Sequence, residues 1–226
     1  MEHRDCALTP LPSGLLPADR AAWLAARVTP LAGWCSPAKA IRLADLILHV
    51  APMISVDLGV FGARSTLALA EGHRALGYGY VTGIDPWTRA AALEGTNELI
   101  NEEWWGSVDM EATYRAAMAT MVRHAVLPHW QLLRVRSGDG AAYFSDQSIG
   151  LLHQDSNHSP EVSQEELRLW IPKMVPGGIW VMDDTNWPSL QDTKRLLQSQ
   201  YGAVLIEEHD IHSASGLACW QVYQLP

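Results

Sequence analysis

Basic residues are scarce in this sequence, and their scarcity argues against one large class of partners. The 226 residues include 16 lysines and arginines but 25 aspartates and glutamates, which gives a formal net charge of −9 at pH 7. Because nucleic acids are bound through basic surfaces, we expect no nucleic-acid partner. The sequence also lacks any apolar run of the roughly 20 residues that a membrane-spanning helix requires, so we expect no membrane association.

Cysteine is rare too, and its three copies, Cys6, Cys35 and Cys219, are far apart in the sequence. An odd number of widely spaced cysteines is typical of free thiols in a reducing compartment rather than of a disulfide framework. The first residues, MEHRDCALTPLPSG, contain neither the basic region nor the apolar region of a secretory signal. Together these features predict a cytoplasmic protein.

Two common nucleotide-binding motifs are absent from the stretch ISVDLGVFGARST. Phe61 and Arg64 stand where the dinucleotide pattern G-x-G-x-x-G requires its second and third glycines. The Walker motif is also excluded, because the stretch has no Gly-Lys pair. A different kind of ligand turn must therefore be considered.

What the stretch does contain is the pattern D-x-G-x-x-G-x-x-S, which begins at Asp57 and ends at Ser65. Gly59 and Gly62 allow the backbone to approach a ligand, and a helix that begins nearby favours a carboxylate or phosphate at its N-terminus. Asp85 follows the next predicted strand, where a carboxylate can accept hydrogen bonds from both ribose hydroxyls of an adenosine group. A structural turn with an incidental acid is the alternative, and the pattern alone leaves both interpretations open.

Apolar periodicity divides the chain into alternating strands and helices. Strands are predicted at residues 54–58, 80–84, 131–135, 149–153, 178–182, 203–207 and 217–223. The main helices are predicted at residues 38–50, 64–76, 110–126, 160–173 and 189–201. This order predicts a single α/β domain, spanning residues 1–226, with a doubly wound and mostly parallel seven-stranded sheet that has one reversed strand near its edge. Residues 1–35 would form an N-terminal helical cap, and residues 88–128 a helical insertion.

Carboxylates and a histidine follow the fourth and fifth predicted strands. Asp155 and His158 come after the fourth strand, and Asp183 and Asp184 come after the fifth. Because parallel strands joined by a crossover helix end at the same edge of the sheet, we expect these side chains to lie close together. Three adjacent carboxylates repel one another unless a cation or a proton is present, and all-oxygen ligation favours a hard divalent ion such as Mg²⁺.

The segment from His153 to His158 allows another interpretation. Its pattern H-x-D-x-x-H is compatible with a metal-dependent hydrolase or hydroxylase that uses nitrogen and oxygen ligands together. A cofactor-binding accessory protein without catalysis could also carry the same residues. We favour neither alternative, because the mixed metal site leaves the glycine turn and Asp85 without a role.

The motifs SVDLGVFGARST, GIDPW, LLHQDSNHS and PGGIWVMDD, in this order, resemble those of class I S-adenosylmethionine-dependent methyltransferases. More narrowly, the chain resembles the small bacterial family of macrocin-type O-methyltransferases and cephalosporin-hydroxylase-like proteins, and more distantly the catechol O-methyltransferases. The resemblance extends over about residues 36–187 and implies a Rossmann-like methyltransferase fold. Two positions depart from the family: Ala63, where glycine is frequent, and Gly138, where serine is frequent.

The resemblance implies a cofactor site in three parts. Asp57, Gly59 and Ser65 would line the methionine end, Asp85 would hold the ribose, and residues 137–139 would flank the adenine. The full predicted cofactor-binding set is Asp57, Gly59, Phe61, Gly62, Ser65, Asp85, Ser137, Gly138, Asp139 and Asp155. These residues would bind S-adenosylmethionine as the methyl donor.

The resemblance also implies an acceptor site beside the cofactor. Asp155, Asp183 and Asp184 would bind a divalent ion such as Mg²⁺, and Asp155 and His158 would be the catalytic residues. An imidazole can take the acceptor hydroxyl's proton as the methyl group moves, so His158 is the candidate base. The expected reaction is methyl transfer to a hydroxyl of a small molecule, a secondary metabolite or a sugar, by a protein that would form a homodimer.

The helical insertion is expected to close over the substrate. Trp104 and Trp105 in the insertion, and Trp187 after the fifth strand, are candidate walls of the acceptor site because they stand in polar, loop-like sequence. The acceptor itself is not encoded in any motif of this segment.

Overall fold

The computed structural model describes residues 11–96, 99–209 and 219–226. Seven strands occur, namely β1 (Ile54–Leu58), β2 (Tyr80–Ile84), β3 (Trp130–Leu133), β4 (Ile149–Gln154), β5 (Met174–Met182), β6 (Val204–His209) and β7 (Trp220–Gln224). The first helices are α1 (Ala18–Val28), α2 (Pro37–Val50), α3 (Arg64–Leu76), α4 (Arg89–Ala92) and α5 (Leu99–Ser107). They are followed by α6 (Met110–His124), α7 (Ser137–Gly140), α8 (Pro160–Trp170) and α9 (Gln191–Ser199). Cys6 and part of the last predicted strand lie outside the described residues.

The seven strands form one sheet in the order β3-β2-β1-β4-β5-β7-β6. The strands β1 to β5 pair in parallel, whereas β7 runs antiparallel to both β5 and β6. The α/β fold and the seven strands agree with the sequence prediction, but the sheet is mixed rather than mostly parallel. Because β6 and β7 follow each other with no described helix between them, they pair antiparallel, as directly connected strands do.

The strand order places a crevice at the centre of the sheet. From β1 the chain moves outward through β2 and β3, and then returns to place β4 on the other side of β1. Open α/β sheets bind ligands outside the carboxyl ends of the strands at such a reversal. The turn after β1 and the loops after β2, β4 and β5 therefore face the same space.

Local sequence signals explain where the helices beside this crevice begin. At α2 the side chain of Ser36 accepts a hydrogen bond from the Lys39 backbone N–H (3.2 Å), and Pro37 occupies the first helical position. Ser159 caps α8 in the same way by accepting from Val162 N–H (3.4 Å). Each serine satisfies a backbone donor that the first turn of a helix leaves without an intrahelical partner.

The core lies on both faces of the sheet. One cluster joins α1, α2 and α3 to the sheet, and a second joins α8 and α9 to its other face. Leu151 and Leu152 of β4 belong to different clusters because successive strand residues point to opposite faces. The helices therefore cover both faces, which is a doubly wound arrangement. None of the described helices is long and apolar enough to cross a membrane.

The residues predicted as an insertion form three helices, α4, α5 and α6. In the predicted cap, α1 packs against α2 and α3, with Leu24 and Val28 fully buried. Both segments are thus joined to the α/β core by packing. Their assignment as a cap and a lid stays a prediction.

A buried ion pair fastens the chain before α1 to the sheet. Arg42 of α2 pairs with Glu207 of β6 and donates hydrogen bonds to the backbone carbonyls of Leu11 and Pro12. Glu207 also accepts from the Leu11 backbone N–H (3.0 Å). Burial raises the pKa of Glu207, but hydrogen bonds from His209 and Arg42 outweigh that effect and lower the pKa to about 2, from an ordinary value of 4.5.

We expect the variant Glu207→Gln to be destabilised by roughly 3 kcal/mol near pH 7, since each pKa unit corresponds to about 1.4 kcal/mol. The folded pKa lies below the unfolded one, so the stabilisation is complete above pH 4.5 and is lost as the pH falls towards 2. Urea unfolding of wild type and variant at several pH values measures both effects. Glu103→Gln, at an exposed glutamate, is the control. If the unfolding free energies of wild type and Glu207→Gln differ by a constant amount down to pH 3, the lowered pKa assigned to Glu207 is wrong.

Candidate functional site

A cavity of about 510 Å³ opens at the carboxyl ends of the central strands. Its lining includes residues from four loops and from the helical insertion. The predicted site residues in it are Gly59, Phe61, Gly62, Ser65, Asp85, Ser137, Gly138, Asp155, His158, Asp183 and Asp184. The fold therefore brings both halves of the predicted site, separated by about a hundred positions, into one space.

The glycine turn after β1 lies directly against the loop after β4. Gly59 has φ of +88°, and a Cβ at this position would lie 1.9 Å from the backbone oxygen of Asp155. A Cβ at Gly62 would lie 2.2 Å from the backbone oxygen of Ala32. Only glycine allows both approaches, so the two glycines fix how closely the turn packs.

Asp85 stabilises the same turn from the end of β2. Its carboxylate accepts hydrogen bonds from the backbone N–H groups of Val60 (3.1 Å), Phe61 (3.0 Å) and Trp87 (2.7 Å). Burial raises the pKa of Asp85, although these three donors act in the opposite direction. Because a carboxylate can accept about four hydrogen bonds, the side chain retains capacity for a ligand hydroxyl in the cavity.

Two predicted cofactor residues, Asp57 and Asp139, are missing from the described residues that line the cavity. Asp57 is fully buried beneath the turn, where it accepts hydrogen bonds from Ser65 Oγ (2.8 Å) and Thr66 Oγ1. It also lies 2.7 Å from Nδ1 of His153, its register partner across β1 and β4. The side chain of Asp57, which lies within β1, points into the protein interior. Asp57 therefore supports the turn and does not reach the cavity.

The four predicted acceptor-side residues come together, but not as one ion site. Ligand atoms of His153, Asp155 and Asp183 lie within 4.8 Å of one another, and so do those of Asp155, His158 and Asp184. Within the described chain the three carboxylates alone form no such group. Asp183 and Asp184 are consecutive residues after β5, and the backbone leaves the extended conformation at Asp184, which has φ of +51°. Their carboxylates consequently face different neighbours across Asp155.

His158 lies between two carboxylates. Its Nε2 atom is 3.2 Å from Asp184 Oδ2 and 3.7 Å from Asp155 Oδ1. Burial lowers the pKa of His158, but its interaction with the carboxylate of Asp155 and the charge of Asp184 outweigh that effect and raise the pKa to about 9. Burial and the nearby charge of Asp183 raise the pKa of Asp155. A proton is thus readily held within the Asp155–His158 pair.

Lys39, which the sequence analysis missed, reaches this cluster from the first turn of α2. Its ammonium group forms a buried ion pair with Oδ2 of Asp183, and the two residues are each 4% exposed. Burial acts to raise the pKa of Asp183, but the Lys39 charge outweighs it and holds that pKa well below the usual range. The two residues are 144 positions apart, and no sequence motif connects them.

Unpartnered buried atoms in the cluster bear on whether it fits a divalent ion. Nε2 of His153 and Oδ1 of Asp183 are buried, and neither has a hydrogen-bond partner within the described residues. However, an ion on Asp183 would lie roughly 4–5 Å from the Lys39 ammonium, where a repulsion on the order of 7–8 kcal/mol, at an effective dielectric constant of 20, offsets part of the attraction by the carboxylates. While Lys39 holds Asp183, the three carboxylates are not all free to bind a divalent ion.

Aromatic side chains form the opposite wall of the cavity. Trp34 contacts Phe61 (5.5 Å between ring centroids) and Trp104 (4.8 Å), and Trp104 contacts Trp105 (4.6 Å). Trp187 lies against the ring of His158, with 5.0 Å between centroids. All five line the cavity, as predicted for Trp104, Trp105 and Trp187. Trp34, from the loop before α2, was missed because nothing in its local sequence connects it with the insertion.

The fold and the site together define an α/β protein with a cavity at the carboxyl ends of its parallel strands, where a glycine turn and an acid face an acid–histidine pair. More specifically, the chain belongs to a methyltransferase family, because the family described as "Methyltransferase domain" matches residues 56–185. No curated protein matches the sequence significantly.

Solved structures share this fold at low sequence identity. One is the O-methyltransferase TomG from Streptomyces achromogenes, in complex with S-adenosylmethionine, at 16% identity and a TM-score of 0.61. The alignment covers 92% of this chain and 89% of that chain. Another is an O-methyltransferase from Bacillus cereus in complex with S-adenosylhomocysteine, at 15% identity, a TM-score of 0.55 and 94% coverage of both chains.

Proposed function

We propose that this protein transfers a methyl group from S-adenosylmethionine to a hydroxyl of a small molecule, a secondary metabolite or a sugar. The close contact of Gly59 with the backbone of Asp155 carries the proposal. It joins a turn suited to an adenosine-type cofactor with an acid–histidine pair suited to a hydroxyl acceptor, in one cavity. The S-adenosylmethionine named with the TomG structure and the S-adenosylhomocysteine named with the Bacillus cereus structure support the choice of cofactor.

The cofactor lies, in this proposal, along the edge formed by the turn after β1, the end of β2 and the start of α7. Asp85 accepts the ribose hydroxyls, Gly59, Phe61, Gly62 and Ser65 border the methionine end, and Ser137 and Gly138 border the adenine. Asp57 acts indirectly by fixing Ser65. The role of Asp139 in cofactor binding stays a prediction, since Asp139 is not among the described residues that line the cavity.

The acceptor hydroxyl lies against Asp155 and His158, on the far side of the cofactor's methyl group. Methyl transfer from a sulfonium is an in-line displacement, so the protein contributes alignment of donor and acceptor and removal of the hydroxyl proton. We assign the proton to the Asp155–His158 pair. The tryptophans of α5 and Trp187 enclose the acceptor and exclude water.

Other sequence predictions carry over unchanged. A divalent ion at Asp155, Asp183 and Asp184, a homodimer and a cytoplasmic location each stay predictions. The reaction proposed above requires none of them.

The cofactor assignment is tested by calorimetry with S-adenosylhomocysteine. We expect one bound molecule per wild-type chain and binding weakened at least roughly tenfold in Asp85→Asn, because the loss of one charge-assisted hydrogen bond costs about 1.5–3 kcal/mol. Asp146→Asn, on the exposed surface, is the matched control. A wild-type protein that binds neither S-adenosylhomocysteine nor S-adenosylmethionine would refute the proposal. Incubation with a panel of hydroxyl compounds, followed by mass spectrometry for the gain of one methyl group, then identifies the acceptor.

A second candidate, a metal-dependent hydroxylase or hydrolase, is favoured by one observation. Donor atoms of His153, Asp155 and Asp183 lie within 4.8 Å of one another, and Asp57 contacts the other nitrogen of His153. Acids often orient metal-binding histidines in this way. Product formation that needs oxygen or water and a metal, but no methyl donor, would favour this candidate.

A further inference from the structure

Lys39 occupies a position that the proposed methyl transfer does not explain. It lies outside the described lining of the cavity, at the first turn of α2, and Ser36 holds its backbone N–H. A buried lysine is costly unless its charge is compensated. Here Asp183 provides the opposite charge, and the ring of Trp220 lies 5.9 Å from the ammonium nitrogen.

The charges around Asp155 are largely compensated without any external ion. The carboxylates of Asp155, Asp183 and Asp184 face two cationic or potentially cationic groups of the same chain, Lys39 and His158. The repulsion that would otherwise demand a metal is therefore relieved by side chains. Lys39 is fixed on one side of the cluster, and His158 lies on the other.

We infer that the ammonium group of Lys39 supplies the positive charge that a divalent ion would otherwise supply at Asp183, so that this protein transfers methyl groups without an added metal ion. The inference rests on the proposed function. Lys39 is a positioning residue: it holds the carboxylate of Asp183, and through it the electrostatic environment of Asp155. It touches neither the cofactor nor the acceptor in this assignment.

Binding of Mn²⁺, followed by electron paramagnetic resonance, tests the inference without an acceptor. Chelator-treated wild type is expected to leave the signal of the free ion unchanged. Lys39→Met removes the charge but keeps most of the length of the side chain, and we expect it to bind Mn²⁺ at least about tenfold more tightly, the scale on which residues around a site alter metal affinity. Lys173→Met, at a lysine paired with Asp146 on the surface, should behave as wild type.

Methyl transfer provides a second readout. Wild type should keep its full rate in EDTA, whereas Lys39→Met should lose roughly tenfold or more, a modest value for loss of a fixed charge near a reacting centre. Mn²⁺ or Mg²⁺ should restore part of the activity of Lys39→Met, and Lys39→Arg should retain activity without metal. If Lys39 acted only in folding, a metal ion would not restore the activity of Lys39→Met.

Three results would overturn the inference. They are tight binding of Mn²⁺ by wild type that disappears in Asp183→Asn, loss of wild-type activity in EDTA, and equal Mn²⁺ affinity in wild type and Lys39→Met. If Lys39→Met does not fold, Mn²⁺ binding by the wild type and the activity of the wild type in EDTA still test the inference. Calorimetry with S-adenosylhomocysteine on the same samples keeps the proposed function separate, because absence of cofactor binding refutes methyl transfer whatever Mn²⁺ does.

Discussion

An Asp155→Asn variant is expected to transfer methyl groups about 10²- to 10⁴-fold more slowly than wild type, the range that a positioned acid or base contributes. Asp155 follows β4 directly, and its backbone N–H donates to the carbonyl of Leu58 (2.8 Å) at the end of β1. The backbone of residue 155 is therefore held against the end of β1. Asparagine preserves the shape of the side chain but cannot accept a proton or balance the charge of His158.

The measurement is the rate of S-adenosylhomocysteine formation with the acceptor found in the panel. Asp192→Asn, at an exposed aspartate of α9, is the matched control and should keep the wild-type rate. Calorimetry should show that Asp155→Asn still binds S-adenosylhomocysteine, because the turn after β1 is intact. A rate within threefold of wild type would remove Asp155 from the proton transfer.

A companion variant, His158→Gln, separates the two members of the pair. If they act as one unit, Asp155→Asn and the double variant should have similar rates, since losses within a catalytic unit are not additive. If the two residues contribute independently, the fold losses in rate of the two single variants should instead multiply in the double variant. The comparison decides whether the proton is shared between Asp155 and His158.

A Gly59→Ala variant is expected to lose both stability and cofactor binding. The new methyl group would lie 1.9 Å from the backbone oxygen of Asp155 and 2.5 Å from its carbonyl carbon, in a conformation with φ of +88°. Left-handed geometry costs a non-glycine residue about 1–2 kcal/mol, and overpacking typically costs a further 1–3 kcal/mol. Either the turn or the end of β4 must move, and each change separates the two halves of the cavity.

Gly77→Ala is an unusually close control. Gly77 ends α3 with φ of +87°, and no described atom lies within 4 Å of the position its Cβ would occupy. The Gly77→Ala variant should therefore lose only the cost of the left-handed conformation, about 1–2 kcal/mol of unfolding free energy, and should bind S-adenosylhomocysteine normally. Urea unfolding and calorimetry measure the two effects. Equal destabilisation by the two substitutions, with cofactor binding retained in both, would contradict the role assigned to the contact between Gly59 and Asp155.

Much of the fold could be predicted because its signals are local. Ser36-Pro37 and Ser159-Pro160 mark helix starts, and short apolar runs mark the strands, within a few residues of the observed ends. The longest difference is β5, which begins at Met174 rather than at Gly178. The mostly parallel sheet was wrong, since β7 is antiparallel to both of its neighbours.

The candidate site was predicted only in part. Strand ends on one edge placed Asp85, Asp155, His158, Asp183 and Asp184 at the same cavity, because sheet topology alone determines that convergence. Side-chain direction was not determined in this way. The cavity therefore excludes Asp57, which faces the interior, and the carboxylates of Asp183 and Asp184 point to different neighbours.

By itself, the sequence determined the alternation of strands and helices, the glycine turn, and the acids that follow the strands, since each depends on residues a few positions apart. The tertiary structure alone decided which charges meet. The pairing of Lys39 with Asp183, of His153 with Asp57 and of Trp34 with the insertion joins residues distant in the chain. Such contacts depend on how α2, β1 and β4 pack, which local patterns do not specify. The acids predicted to need a metal thus meet, in the folded chain, a lysine that already carries the charge.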